Sequence, residues 1–471
     1  MTTHPGWLSL LPPLLAIILA IWTRQVYLSL AAGVWAGATI LAGWNPVAGL
    51  GAAIERTVAV FADAGNTRVI LFTMIIGALI ATIETSGGVR GFVDWVERRR
   101  LVTGPRGARV LAFAVGVVIF IESNITVLVS GAVARPLFDR YRVSREKLAY
   151  LIDSTSAPVC ILIPFNAWGA YLLALLAGVG VSDPLGVLAA SIPLNFYALA
   201  ALLLAGVVAV TGLSLGPMKR ADERTATGML LWEDAKPLLD PEVLSPEPTT
   251  RIPPRAVNML LPISVMVLTM PLGLLVTGGG DIRAGSGSTS VLWAVAAALA
   301  TSWLLLLVQR GATVDELTRT GIKGAGGLVP MALVLLLALA IGGVAKDMGT
   351  GPYIAGLTAG RVPPVVFLPL VFVVASGIAF ATGTSWGTFA IMVPIVVPAA
   401  AASGLPLAPF LAAALSGGIF GDHASPISDT TIVSSMAAAT DHIDHVRTQM
   451  PYAMLGGGIA ILGFAVAGAL L

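Results

Sequence analysis

Apolar runs long enough to cross a bilayer recur along the chain, at 7–23, 26–43, 68–86, 157–180, 185–211, 256–277, 289–309, 325–344, 407–421 and 450–471. A crossing helix needs about 17–25 residues, so these runs predict membrane helices. Two further apolar blocks, 107–138 and 363–402, are interrupted near their middles by polar residues. Each reads as a re-entrant hairpin, because backbone without partners survives at membrane depth only inside protein. The first run, "WLSLLPPLLAIILAIWT", lacks a basic segment before it and a small-x-small site after it, and reads as a retained span.

The order of elements repeats. Residues 1–212 give span, span, amphipathic 46–66, span, short segment 87–100, hairpin 107–138, broken span 147–180 and span. Residues 256–471 give span, span, amphipathic 312–323, span, short segment 346–361, hairpin 363–402, broken span 407–440 and span. An odd number of crossings per half gives the halves opposite topology. Such repeats, with discontinuous helices in matching places, point to a secondary transporter. The expected fold class is therefore an all-α membrane protein, an inverted-topology repeat with two re-entrant hairpins and two broken transmembrane helices. Residues 213–255, rich in Pro, Asp and Glu, read as a cytoplasmic linker loop between the repeats.

Composition agrees. Of 471 residues 56% are hydrophobic and 11% charged, where a soluble chain would have about a quarter charged. The net charge of +2 gives no reason to invoke nucleic acid. A single cysteine, Cys160, allows no intramolecular disulfide. Alternating the spans gathers 22 of the 27 Lys and Arg residues on one side, including "VERRR" at 96–100 and "RYRVSREK" at 140–147. By the positive-inside rule that side is cytoplasmic and the N-terminus lies outside, in a multi-pass cell membrane protein of the bacterial inner-membrane type.

Candidate chemistry lies at the breaks. The first half has "FIESNIT" (120–126) and "DSTSAP" (153–158), the second "FATGTSWGT" (380–388) and "GDHASP" (421–426). Asp153 and Asp422 hold the same place in the repeat, each followed by small hydroxyl residues and a proline. Each buried charge costs about 2.5–3.5 kcal/mol at mid-helix on an insertion scale, so something must offset it. Unwound carbonyls, hydroxyls and a carboxylate make an oxygen cage for a hard cation. The candidate ion- and substrate-binding residues are Glu122, Ser123, Asn124, Thr126, Asp153, Ser154, Thr155, Thr384, Ser385, Asp422, His423, Ser425 and Asp429. Asp153 and Asp422 are the expected Na⁺ ligands. Glu84 ends an apolar run and ranks lower. "DHIDH" (441–445) spaces two histidines three apart, suited to a metal or to pH sensing, although its polar setting favours a solvated connector. "SREK" (144–147) reads as a charged turn that fixes topology.

"GTSWGTFAIMVPI", "GDHASPISDTTIVSS" with "DHIDHVRTQMPYA", and "VSREKLAYLIDSTSAPV" together resemble the NhaC-type sodium/proton antiporter family. The resemblance implies exchange of Na⁺ for H⁺ by alternating access, with no cofactor beyond the transported ions. Partners would be those ions and the lipid bilayer, with room for a homodimer. One departure stands at the first hairpin, where the family shows Phe-Phe-Asp-Asp-Tyr-x-Asn and this chain Phe120, Ile121, Glu122, Ser123, Asn124, Ile125, Thr126. A hydroxyl replaces one of two carboxylates there, and "SNIT" is similar to the hairpin tips of sodium-coupled dicarboxylate transporters. The alternative is thus a Na⁺- or H⁺-coupled carrier of a small organic anion or amino acid. A hydrolase built on His423 and a serine lacks any recognisable catalytic spacing, so no enzyme is expected.

Overall fold

The computed structural model describes residues 6–23, 25–98, 102–120, 123–164, 166–237, 251–281, 285–350, 353 and 362–471. Glu122, residues 238–250 of the linker and most of the short segment 346–361 lie outside the described residues, as does the side chain of Asn124.

Apolar runs bounded by glycine, proline and capping residues form helices throughout. The first half contains α1 (Leu11–Thr23), α2 (Val26–Leu41), α3 (Pro46–Ala59), α4 (Ala64–Thr85), α5 (Gly88–Arg98), α6 (Pro105–Val118) and α7 (Ser123–Arg140). It continues with α8 (Arg145–Ser154), α9 (Ala157–Leu162), α10 (Ala167–Gly178), α11 (Pro184–Ser191) and α12 (Phe196–Thr211). Then α13 (Pro217–Ala226) precedes α14 (Val257–Thr277), α15 (Gly287–Val308), α16 (Val314–Gly327) and α17 (Val329–Asp347). The chain ends with α18 (Pro364–Thr382), α19 (Ser385–Ser403), α20 (Leu407–Ala424), α21 (Asp429–Ala438) and α22 (His442–Ala469).

Among the described residues seven helices are long and apolar enough to cross a membrane, or nine if each of two bent pairs counts as one span. One bent pair is α2 with α3, which turn through 119°. Val47, Leu50, Ile54 and Val58 line one exposed face of α3, the stripe expected of a helix lying along lipid. Block 107–138 breaks between α6 and α7, and these pack against each other. Block 363–402 breaks at Gly383 and Thr384 between α18 and α19, each a 19-residue helix able to cross by length and composition. Gly383 is left-handed, which its missing Cβ makes easy.

Two of the sequence regions read as polar connectors are built differently. Part of the 213–255 loop is the helix α13, and the "SREK" turn is the buried start of α8. Glu146 and Lys147 are 0% and 2% exposed. Arg224 of α13 grips Glu146 with both terminal nitrogens, and Lys147 pairs with Asp222. A topology-setting turn needs only exposed charge; here the charges are paired across elements, so they became interior.

Helix α20 sits at the centre, packed on α18, α19, α12 and α22. Close approach to α18 depends on Gly417 and Gly421, where an added Cβ would meet the Phe372 and Ser376 carbonyl oxygens. Gly421→Leu should therefore cost more than the about 1–3 kcal/mol of ordinary overpacking, because backbone must move. Gly458 of α22 faces open space, and Gly458→Leu should be nearly silent. Thermal unfolding and monodispersity of the purified variants check this; equal behaviour would refute the close packing.

Candidate functional site

Four helix interruptions supply the site. Helix α8 stops at Ser154 and α9 restarts at Ala157, just ahead of Pro158. Helix α20 stops at Ala424, Pro426 follows, and α21 restarts at Asp429 under a Ser428 N-cap. Proline has no N–H and cannot continue the preceding turn, so each carboxylate lies just before a break. Asp153 and Asp422 are both 1% exposed.

Hydroxyls surround Asp422. Ser385 Oγ, at the first residue of α19, donates to Oδ2 at 2.7 Å, and Ser428 Oγ donates to Oδ1 at 2.6 Å. Asp153 Oδ2 accepts from Thr431 Oγ1 at 3.1 Å and Gln449 Nε2 at 2.8 Å. Its Oδ1 has no hydrogen-bond partner among the described residues. The first turn of α21 thus joins both aspartates, through Ser428 and Thr431. Gln449 also donates to the His423 carbonyl at 2.6 Å, binding the two broken spans together.

Asp429 completes the cluster at the N-terminus of α21, where the helix dipole favours an anion. Asp429 is exposed, and it lines a cavity of 420 Å³. Ser123 at the α7 tip and Thr384 at the α18–α19 tip line the same cavity, together with Gln25, Tyr27, Thr73 and Trp386. The breaks of the two blocks therefore meet in one chamber between α2, α4 and α17.

The expected site residues divide accordingly. Ser123, Thr384 and Asp429 line the chamber. Asp153, Ser385 and Asp422 stand in the hydroxyl network behind it. Ser154 Oγ lies 3.1 Å from His423 Nε2, whose Nδ1 meets the Tyr197 hydroxyl at 2.6 Å. That serine–histidine pair is buried and neither residue lines the chamber. Thr126 donates to the Ile119 carbonyl across the first break, Thr155 at the C-cap of α8 to the Leu151 carbonyl, and Ser425 to the Phe380 carbonyl. These three hydroxyls hold backbone. Glu84 is half-buried in the last turn of α4 and is not among the residues that line the chamber.

Ser428, Thr431, Tyr197 and Gln449 escaped the sequence reading. Ser428 and Thr431 sat in the quoted motif, where a serine just before the helix start at Asp429 is a legible N-cap. Tyr197 and Gln449 offered no local signal. "DHIDH" is a correction: His445 is 0% exposed, its Nδ1 against Ser435 Oγ and its Nε2 against Gln449 Oε1. Two polar partners in the interior turned a supposed connector into part of the network. No three His, Cys, Asp or Glu side chains among the described residues converge as a metal centre.

Known proteins resemble this chain to different extents. An uncharacterized protein of Haemophilus influenzae is 36% identical, covering 98% of this chain and 90% of its own. The arginine/ornithine antiporter ArcD of Halobacterium salinarum is 29% identical over 44% of this chain and 41% of its own. The malate-2H⁺/Na⁺-lactate antiporter of Bacillus subtilis is 29% identical over 36% and 37%. Among solved structures, Neisseria gonorrhoeae MtrF shares the fold with a TM-score of 0.58 at 13% identity, covering 89% of this chain and 84% of that one. The Alcanivorax borkumensis YdaH transporter gives 0.57 at 15% identity, covering 90% and 88%. The model of the Na⁺/H⁺ antiporter family matches residues 159–469, which include the second broken span, its hydroxyl network and Asp429. The chain is a multi-pass secondary transporter and belongs to the Na⁺/H⁺ antiporter family.

Proposed function

We propose that the protein exchanges Na⁺ for H⁺ by alternating access, with the transported cation meeting Asp429 and Asp422 and protons competing for the same carboxylates. One observation carries this reading: Asp429 opens onto the chamber while Asp422 and Asp153 wait behind it, linked through the hydroxyls of one helix turn. A carboxylate in an oxygen cage binds either a proton or a hard cation, and that competition couples the two fluxes. Residues 1–212 and 256–471 act as inverted repeats about the 213–255 linker. Breaks at matching places, meeting in one chamber, support that division. The Lys- and Arg-rich face is cytoplasmic and the N-terminus external.

A second reading has its own support. A chamber of 420 Å³ is far larger than the about 30 Å³ share of a water molecule, and falls within the range of small-molecule pockets. Tyr27, Phe72, Met331 and Trp386 line it, with Asp429 as its carboxylate and no Lys or Arg among the described lining residues. That lining suits a solute carrying an ammonium group, such as an amino acid, better than a dicarboxylate. Two relatives bear names of exchangers of amino acids or carboxylic acids.

Purified protein in proteoliposomes separates the readings. Na⁺ alone should dissipate an imposed pH gradient. Dissipation only when an amino acid is also present would transfer the chamber to the second reading. No flux with Na⁺, amino acids or dicarboxylates would defeat both.

A further inference from the structure

The hydrogen bonds of the "DHIDH" turn do not close when protons are counted. His442 Nε2 lies 2.6 Å from the Pro426 carbonyl oxygen, which only accepts, so Nε2 carries a hydrogen. Gln449 Nε2 faces two acceptors, Asp153 Oδ2 and the His423 carbonyl, which fixes the amide orientation. Its Oε1 therefore faces His445 Nε2 at 2.9 Å, and that nitrogen carries a hydrogen too. A neutral imidazole has one N–H, so in both neutral rings Nδ1 would be an acceptor.

Both Nδ1 atoms face the same hydroxyl. Ser435 Oγ lies 3.0 Å from His442 Nδ1 and 2.9 Å from His445 Nδ1, with the Thr431 carbonyl a third acceptor at 2.8 Å. One hydroxyl hydrogen cannot serve two lone pairs. With both rings neutral, at least one nitrogen lone pair is pressed on an oxygen lone pair. One added proton removes the conflict: the ring that takes it donates from Nδ1 to Ser435 Oγ, and Ser435 donates to the other ring. A second would place two charges in one buried pocket.

We propose that His442 and His445 hold one proton between them through Ser435, forming a proton-binding site that Gln449 connects to Asp153. Charge passes along it when Ser435 gives its hydrogen to His445 Nδ1 and takes one from His442 Nδ1; no atom is gained or lost. His442, half-buried at the start of α22, is the outer end. His445 is the inner end, its Nε2 4.0 Å from Asp153 Oδ2. The ionisable groups around the pair are Asp153 of α8 and His423 of α20, with Asp441 at the N-cap of α22 and Asp444 and Arg447 on that helix. Arg145 reaches the adjoining Ala439 carbonyl, and Glu146 and Arg224 act on Asp444. The site serves transport as its proton entrance; that role rests on the exchange proposed above, while the shared proton does not.

The chain has four histidines, so imidazole ¹⁵N signals of the full-length protein in nanodiscs can be assigned with His442→Gln and His445→Gln. Between about pH 5 and 8, the window in which histidine changes charge, the His442 and His445 signals should move together as one proton is taken up. Ser435→Ala should split them into two independent responses. In vesicles it should shift the pH profile of exchange by about one unit, a typical environmental shift of a side-chain pKa. Two rings that stay neutral throughout, or that already titrate independently in the native protein, would overturn the proposal. A shared proton in a protein that moves no Na⁺ would uphold the site and defeat the exchange reading instead.

Discussion

Asp422→Asn is expected to abolish Na⁺-driven proton movement while leaving a folded, monodisperse protein. The side chain is 1% exposed, and both its oxygens accept short hydrogen bonds, from Ser385 and Ser428. An amide keeps the shape, and a serine hydroxyl can turn to accept from its NH₂ group. Burying that neutral amide costs less than burying a carboxylate, so folding should survive. What disappears is the group that trades a proton for a cation. Asp429→Asn removes the charge that faces the chamber and should weaken Na⁺ dependence at the point of entry. His423→Ala should leave substantial exchange, because both ring nitrogens are already engaged by Tyr197 and Ser154. The measurement is Na⁺-dependent pH change in vesicles at several pH values, beside size-exclusion profiles of each variant. Full exchange by well-folded Asp422→Asn would remove this residue from the mechanism and leave its motif as packing.

Membrane character and the breaks were legible because both are local. Apolar length, proline and glycine act on their own turn of helix, and the interruptions near Asp153, Asp422 and Thr384 are where these residues put them. Long-range partners were not legible. Gln449 is 296 residues from Asp153, and only the packed fold shows that an amide ties them. The same limit explains the polar segments. Sequence presents "SREK" and "DHIDH" as charge and therefore as surface, yet pairing cancels the cost of burial, and pairing is a property of the fold. The position of Asp429 illustrates the same limit. Spacing groups it with Asp422, but only geometry separates the carboxylate that faces the chamber from the one behind it.

Arg224→Ala is expected to be the most damaging single change outside the site. Glu146 and Arg224 have side chains 0% and 2% exposed, joined by bonds of 2.7 and 3.0 Å. The guanidinium also donates to the Met229 and Leu230 carbonyls and stacks over Trp232, at 4.7 Å from the ring centroid. Removing it strands a buried carboxylate, which costs about 3–5 kcal/mol. Replacing both partners, Glu146→Leu with Arg224→Met, leaves no orphaned charge and should recover most of that loss, since an apolar pair of similar volume often equals a buried ion pair. The clamp joins distant parts of the chain. Helix α13 packs on α8 and α22, and the segment before it meets Tyr452, whose hydroxyl accepts from the Leu215 N–H and donates to the Leu213 carbonyl. A weakened clamp should therefore loosen the broken span that carries Asp153 together with the last span. Thermal unfolding of the purified single and double variants decides the matter. An unchanged midpoint for Arg224→Ala would show that α13 is a passenger, and failure of the double variant to recover would mean that the ion pair itself, not relief of a stranded charge, holds the clamp.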